Sequence, residues 1–451
     1  MPGHHKKPIH IIAPDAEAAI YRKAARRLIP FLFLLYLVAF IDRVNVGFAK
    51  LQMSGDLEFD EAVYGFGAGI FFLGYFLFEV PSNIILHRVG ARRWISRILL
   101  VWGLISSAMM FVDSAASFYV LRFLLGVGEA GFFPGIILYL TYWFPARRRA
   151  KTTAAFMTAI AIAGVVGGPV SGWIMAGLDG WLGLRGWQWL FLLEGAPAVL
   201  LGFATHVFLD DGPAQAGWLA EGERQWLLRR LAEDQQGRDA LQGHGSLRQA
   251  LLSARVWLLA LVYFCLALGL YGVSFWLPQI VNDLKQGGLV VTGWLSALPY
   301  LLAALVMVAV AHSSDRRHER RWHIAGSALL GGLGLVSLVL VRGSPTGSIA
   351  ALGLATSGFL AALSIFWSLP TAFLSGRAAA GGIALINCVG SLGGYVGPVI
   401  LGWVRQHTGS MDAGLYVLAG GMALAAALVA AMGLGPAPTV AGVAKHRERN
   451  E

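Results

Sequence analysis

Long apolar blocks dominate this sequence, and they restrict what it can fold into. Many run for about 20 residues, the length at which a helix crosses a bilayer. Of 451 residues, 57% are hydrophobic and only 13% are charged, where a soluble domain carries roughly a quarter charged residues. A single core rarely grows beyond about 250–300 residues, and here the apolar residues are blocked rather than spread at core periodicity. The expected fold class is an all-α polytopic membrane protein.

Twelve spans are predicted, at 28–50, 62–86, 94–112, 117–143, 152–177, 187–209, 255–280, 291–312, 323–342, 348–373, 381–404 and 412–434. The longest connection, 210–254, divides them six and six. The predicted organisation is an N-terminal segment (1–27), a six-helix bundle (28–209), a linker (210–254), a second six-helix bundle (255–434) and a tail (435–451). Two matches support pseudo-symmetry. "GGPVSGW" at Gly167–Trp173 compares with "VGPVILGW" at Val396–Trp403, and the basic loop near Arg88 lies about as far from Arg316 and Arg317. Transporters built from such repeats bind substrate near the midplane, where the halves meet.

Loop charges predict orientation. Arg88, Arg92, Arg93 and Arg97 follow span two; Arg147, Arg148, Arg149 and Lys151 follow span four; Arg320 and Arg321 join Arg316 and Arg317 after span eight. Arg377 follows span ten, and the tail reads "KHRERNE". The loop after span one carries only acids: Asp56, Glu58, Asp60 and Glu61. Basic loops stay in the cytoplasm, so both termini and the linker are expected there. The net charge of +10 falls in these short loops and forms no nucleic-acid face. No cleavable signal peptide is expected, because the first apolar block is too long for one. In the linker, Trp218, Leu219, Trp226, Leu227 and Leu231 fall near helical spacing among charges, which predicts an amphipathic surface helix.

Several motifs resolve into packing. Gly126, Gly128 and Gly131 satisfy G-x-G-x-x-G, but a dinucleotide site needs a preceding strand, and these lie inside span four. They, the four-spaced Gly164, Gly168 and Gly172, and Gly390 with Gly394 are expected to let helices approach closely. Cys265 and Cys388, the two cysteines, sit inside spans and predict no disulfide framework. No nucleophile elbow, phosphate loop or metal cluster appears, so neither an enzyme nor a cofactor is expected.

Charges inside spans cost about 2.5–3.5 kcal/mol each on insertion scales and mark function by default. They are Asp42, Arg43, Glu79, Arg122, Glu129 and Glu194, all in the first half. The second half offers neutral groups instead: Tyr271, Ser274, Gln279, Ser364, Ser368, Thr371 and Asn387. Arg122 and Glu129, seven apart, share a helix face, whereas Asp42 and Arg43 diverge by about 100°. The expected pairing is Asp42 with Arg122, leaving Arg43 for an anion. A carboxylate such as Glu129 in a low-dielectric cavity can take a proton. Fixed arginine and titratable acid are the minimum set for proton-coupled anion transport. Glu79 and Glu194 lie nearer span ends and carry a weaker expectation. Tyr75 and Trp367 could contact a ligand, although aromatics in spans usually pack.

These features resemble the major facilitator superfamily, whose loop motif is similar to "SSDRRHERR" (Ser313–Arg321) and "ILHRVGARR" (Ile85–Arg93). The latter departs from the family by placing His87 where an aspartate is usual. Within the superfamily, "IDRVNVGFA", "GYFLFEVPSN", "LRFLLGVGEAGFFPG", "YWFPARRRA" and "RGWQWLFLLEGAPA" look like the anion:cation symporters, which include bacterial tartrate, phthalate and D-galactonate transporters. The resemblance implies substrate contacts at Arg43, Tyr75, Arg122, Ser364, Trp367 and Asn387. It implies proton coupling at Asp42 and Glu129, and gating loops at His87, Arg88, Asp315 and Arg316. It also implies a multi-pass, monomeric protein of the bacterial cytoplasmic membrane. The expected activity is proton-coupled uptake of a small organic anion such as tartrate. Uptake of an aromatic acid such as hydroxyphenylacetate, nicotinate or phthalate, or proton-coupled drug antiport, is the alternative.

Overall fold

The computed structural model describes residues 14–241, 252–373 and 376–432. The basic tail at 445–451 and the side chains of Arg147, Arg148, Arg149, Lys151 and Arg377 lie outside what is described. Twelve helices are long and apolar enough to cross a membrane, and no strand occurs among the described residues. Lipid offers no water to backbone amides and carbonyls, so a chain of such blocks satisfies them within helices.

The first span is α1 (Pro14–Val44) running into α2 (Val46–Asp56). It begins well before the predicted Leu28, because charged turns extend the helix beyond its apolar part. Then come α3 (Glu61–Val89), α4 (Ala91–Ala108), α5 (Ala115–Glu129) with α6 (Phe132–Thr141), α7 (Ala146–Gly177) and α8 (Gly186–Phe208). After α9 (Glu221–Leu241), the second half comprises α10 (Ala254–Asn282), α11 (Leu289–Arg317), α12 (Arg321–Leu340), α13 (Pro345–Phe366) with α14 (Ser368–Phe373), α15 (Gly376–Thr408) and α16 (Asp412–Ala431). The fourth span is broken just after Glu129, where Ala130 is extended and Gly131 has φ +84°. That left-handed backbone favours glycine.

The halves meet along two seams, α7 against α11 and α3 against α15. The repeated Gly–Pro motif lies at both. A Cβ added to Gly168 would sit 2.6 Å from the Gly293 carbonyl oxygen, and one on Gly402 would sit 2.5 Å from that of Glu61. Small residues therefore let the backbones touch. Outward faces stay apolar, with Leu200, Phe203, Val207, Trp294 and Leu305 exposed on the protein surface, as a lipid-facing surface requires.

The linker packs on protein, and Trp218 and Leu219, expected in its helix, lie in the turn just before α9. Leu219 and Leu227 are buried, Trp218 stacks on Trp143 at 5.4 Å, and Trp226 meets Tyr21 edge-on at 5.6 Å. Lys23 of α1 pairs with Glu223 of α9 at 2.6 Å and holds that carboxylate below its ordinary pKa.

Seam packing makes a contrast testable by thermal melting of the purified protein. Gly168→Leu is expected to cost about 1–3 kcal/mol through overpacking. Gly55→Ala, where an added Cβ meets nothing within 4 Å, is expected to leave the melting temperature unchanged.

Candidate functional site

Asp42 and Arg43 point to different neighbours. Asp42 is fully buried against α4 and accepts hydrogen bonds from Trp102 Nε1 and Ser106 Oγ, with Asn45 Nδ2 at 3.3 Å. Arg43 turns toward the gap between the halves. Its Nη2 donates to the Glu129 carboxylate, and its Nη1 donates to Tyr271 Oη on α10 at 2.9 Å. The guanidinium lies 5.5 Å from the Phe71 ring centroid and 5.8 Å from that of Tyr75. Arg43 Nε and Glu129 Oε2 are buried without a hydrogen-bond partner.

The expected pairing of Asp42 with Arg122 is therefore corrected. Trp102 and Ser106 satisfy Asp42 from α4, and Arg43 is held by Glu129 rather than left open. Arg122 is fully buried and donates to the carbonyl oxygens of Gly67 at 3.2 Å and Ala68 at 3.0 Å, small residues that leave their carbonyls accessible. Its guanidinium packs 5.2 Å from the Phe71 centroid. Arg122 thus sits beneath the site, one aromatic layer from Arg43.

A cavity of about 40 Å³ opens beside Arg43, lined also by Tyr36, Phe72, Tyr75, Tyr263, Tyr271 and Asn387. That volume holds a few waters at most, so an organic anion enters only if the lining helices part. Of the expected substrate contacts, Arg43, Tyr75 and Asn387 line this space. Ser364 and Trp367 do not: Ser364 Oγ donates to the Ala361 carbonyl at 2.8 Å, and Trp367 packs against Tyr263 at 4.9 Å and Phe133 at 6.4 Å. Sequence reasoning missed Tyr36 and Tyr263. The spacing of Tyr263, Ala267, Leu270 and Tyr271 on α10 puts all four on one face, a signal that was present.

Glu79 is more central than its place in the span implied. It is 1% exposed, and Asn387 Nδ2 from the other half donates to its Oε1. Glu194 accepts from Ser171 Oγ at 2.7 Å inside the first half. The loop residues lie at the ends of the helices. His87 Nδ1 is 3.4 Å from Tyr142 Oη, Arg88 and Arg316 are exposed, and Asp315 pairs with Arg320 at 2.6 Å. Asp211 Oδ1 accepts from the Arg92 backbone amide at 2.9 Å and lies against Gly90, whose φ is +95°.

A second charged cluster closes the end opposite the termini. Lys50 pairs with Glu61 at 3.0 Å and donates to Gln279 Oε1 at 3.0 Å. Arg405 pairs with Glu61 at 3.1 Å and Asp283 at 3.0 Å. Lys50, buried at 4% exposure, lies 5.1 Å from the Trp276 ring centroid. Both halves contribute, so this layer ties them together beyond the cavity.

The family profile described as Major Facilitator Superfamily matches residues 32–398. The chain belongs to the major facilitator superfamily. It is 50% identical over 428 residues to an Agrobacterium vitis protein named "Putative tartrate transporter", covering 93% of this chain and 92% of that one. It is 45% identical over 406 residues to an Acinetobacter baumannii protein named "Quinolone resistance transporter", covering 90% and 92%. The xylose transporter XylE of E. coli, in a partially occluded inward-open conformation, shares the fold with a TM-score of 0.72 at 15% identity, covering 89% of this chain and 96% of that one. Members of this superfamily that resemble the chain so closely are transporters, not enzymes.

Replacing Asp42 separates its structural share from its charge. Asp42→Leu removes the acceptor of Trp102, Ser106 and Asn45, at about 1–3 kcal/mol for each buried donor orphaned, and is expected to lower the melting temperature clearly. Asp42→Asn, which keeps a carbonyl acceptor, is expected to lose much less.

Proposed function

We propose that the protein carries a small organic anion across the membrane together with protons, by alternating access. The observation that supports this most is the Arg43–Glu129 pair at the cavity wall. Arg43 is the one cation lining that cavity among the described residues, and its partner is a carboxylate that a substrate carboxylate can replace. Tyr271 Oη adds a hydrogen bond from the opposite half, so an anion at Arg43 would touch both halves.

The exchange has a simple electrostatic logic. An ion pair in a low-dielectric site is tolerated, but a lone charge there is not. When an anion takes Arg43, Glu129 loses its counter-charge, and protonation removes the penalty. Binding and protonation are thereby linked without direct contact between them. The layer of Lys50, Glu61, Asp283 and Arg405 serves as the gate at the far end and must part when the site opens there. The proposed setting is the bacterial inner membrane, with both termini cytoplasmic by the charge distribution of the loops.

Tartrate and the quinolones, the compounds that the relatives' names mention, both carry a carboxylate, which suits an arginine pole. The preferred cargo is a hydroxy or sugar acid such as tartrate, because Tyr75, Tyr271 and Asn387 offer hydrogen bonds beyond the carboxylate. Export of a carboxylate-bearing drug is the second reading, favoured by the aromatic lining of Tyr36, Phe72, Phe133 and Tyr263.

Uptake into proteoliposomes under an imposed inward proton gradient tests the proposal. The panel is tartrate, galactonate, a hexuronate, phthalate, nicotinate and hydroxyphenylacetate. One acid is expected to accumulate and to leak away on adding a protonophore. Arg43→Ala is expected to abolish that uptake, and Glu129→Gln to make it indifferent to pH. Undiminished pH-driven uptake by both variants overturns the proposal.

A further inference from the structure

A second concavity lies away from the central cavity, on the side of both termini. It is an open cleft of about 910 Å³, between the first turns of α1, the end of α8 and the start of the linker. Its α1 wall presents Arg22, Lys23, Arg26 and Arg27, followed at helical spacing by Pro30, Phe31 and Leu34. Phe208 and Trp218 form the facing wall. Charge therefore gives way to apolar surface within one helical turn.

The position of that change matters. The first span covers 41 residues, about 60 Å at the helical rise of 1.5 Å per residue. The hydrocarbon core is only about 30 Å thick, so the early turns of α1 stand in the headgroup region while Pro30, Phe31 and Leu34 enter the apolar zone. Among the described residues, Arg22, Arg26 and Arg27 form no ion pair. Lys23 is shared with Glu223. The Arg27 guanidinium packs 4.4 Å from the Phe208 centroid and 5.3 Å from that of Trp218, and its Nε is buried without a partner. Trp218 Nε1 is engaged by Asp210 at 2.9 Å, which leaves its ring face toward Arg27.

We infer that this cleft binds an anionic phospholipid from the leaflet on the side of the termini. The basic side chains hold the headgroup phosphate, and the acyl chains lie along Pro30, Phe31, Leu34 and Phe208. Basic pockets at helix ends on this side of a membrane suit such headgroups. The order of the cleft, four cations above an apolar wall, matches the order of the lipid. A free phosphate would satisfy the cations and leave that wall unused. The site would fasten the root of α1 and the linker to the membrane surface.

Native mass spectrometry of the purified full chain tests this. The protein in a non-ionic detergent is given equimolar dioleoyl phosphatidylglycerol and dioleoyl phosphatidylcholine, and bound lipid is counted. The wild type is expected to retain phosphatidylglycerol about tenfold over phosphatidylcholine, given the several-fold contribution of each cation near a membrane surface. Replacing all four cations (R22Q, K23Q, R26Q, R27Q) is expected to remove the preference. The milder Arg22→Gln with Arg26→Gln, both exposed side chains, is expected to reduce it several-fold with melting temperature unchanged. Glycerol phosphate at the same concentration is expected not to displace the lipid. Equal retention of the two lipids by the wild type overturns the proposal. So does an undiminished preference in both variants, or displacement by glycerol phosphate alone.

Discussion

The ion pair between Arg43 and Glu129 sets the terms for the rest of the interior. Both side chains are almost fully buried, and two charges in such a place are stable only while they neutralise each other. Neither is fully satisfied, since Arg43 Nε and Glu129 Oε2 lack partners. The pair is therefore held but not saturated, which is the condition under which a third charged group can enter. The surroundings keep it so. Asp42, the other nearby carboxylate, is occupied by donors from α4, and Arg122 is occupied by backbone carbonyls of α3. Neither competes for the partner of the other pair.

The two halves contribute unequally. Charge comes from the first, while the second supplies Tyr271 to Arg43 and Asn387 to Glu79. These neutral contacts can break and reform as the halves move, without stranding a charge on the moving side. At the far end the arrangement differs: Lys50, Glu61, Asp283 and Arg405 tie the halves with ion pairs, in which Lys50 is buried and the other three are partly exposed. Water already reaches Arg405, Glu61 and Asp283, so separating Arg405 from its two partners costs less than separating a deeply buried pair. The glycine-lined seams of α7 with α11 and α3 with α15 let the halves sit closely enough for both layers to form.

Much of this was legible in the sequence, because lipid imposes strong rules. Apolar runs gave the twelve spans, and the expense of charge in a bilayer singled out Asp42, Arg43 and Glu129. Partner choice was not legible. Arg43 and Glu129 are 86 positions apart, and whether Glu129 meets Arg43 or Arg122 depends on the direction each helix faces, which spacing along one helix does not determine. Asp211 was missed for a similar reason, since it reaches Arg92 from 119 positions away, just beyond α8, which packs on α4. The break after Glu129 was hidden in a glycine motif read only as packing, although Gly131 also serves a left-handed turn. Lys50 was passed over because it lies near a span end, where a cation is ordinary; its importance comes from partners brought by α3 and α10.

The central claim is that an anion displaces Glu129 from Arg43 and that a proton then neutralises the freed acid. Calorimetric titration of the purified protein with its transported acid, in buffers of different ionisation enthalpy, tests this most directly. The account predicts net uptake of about one proton per anion bound near neutral pH, with affinity falling as pH rises. Binding heat that is the same in every buffer, with affinity independent of pH, would contradict it.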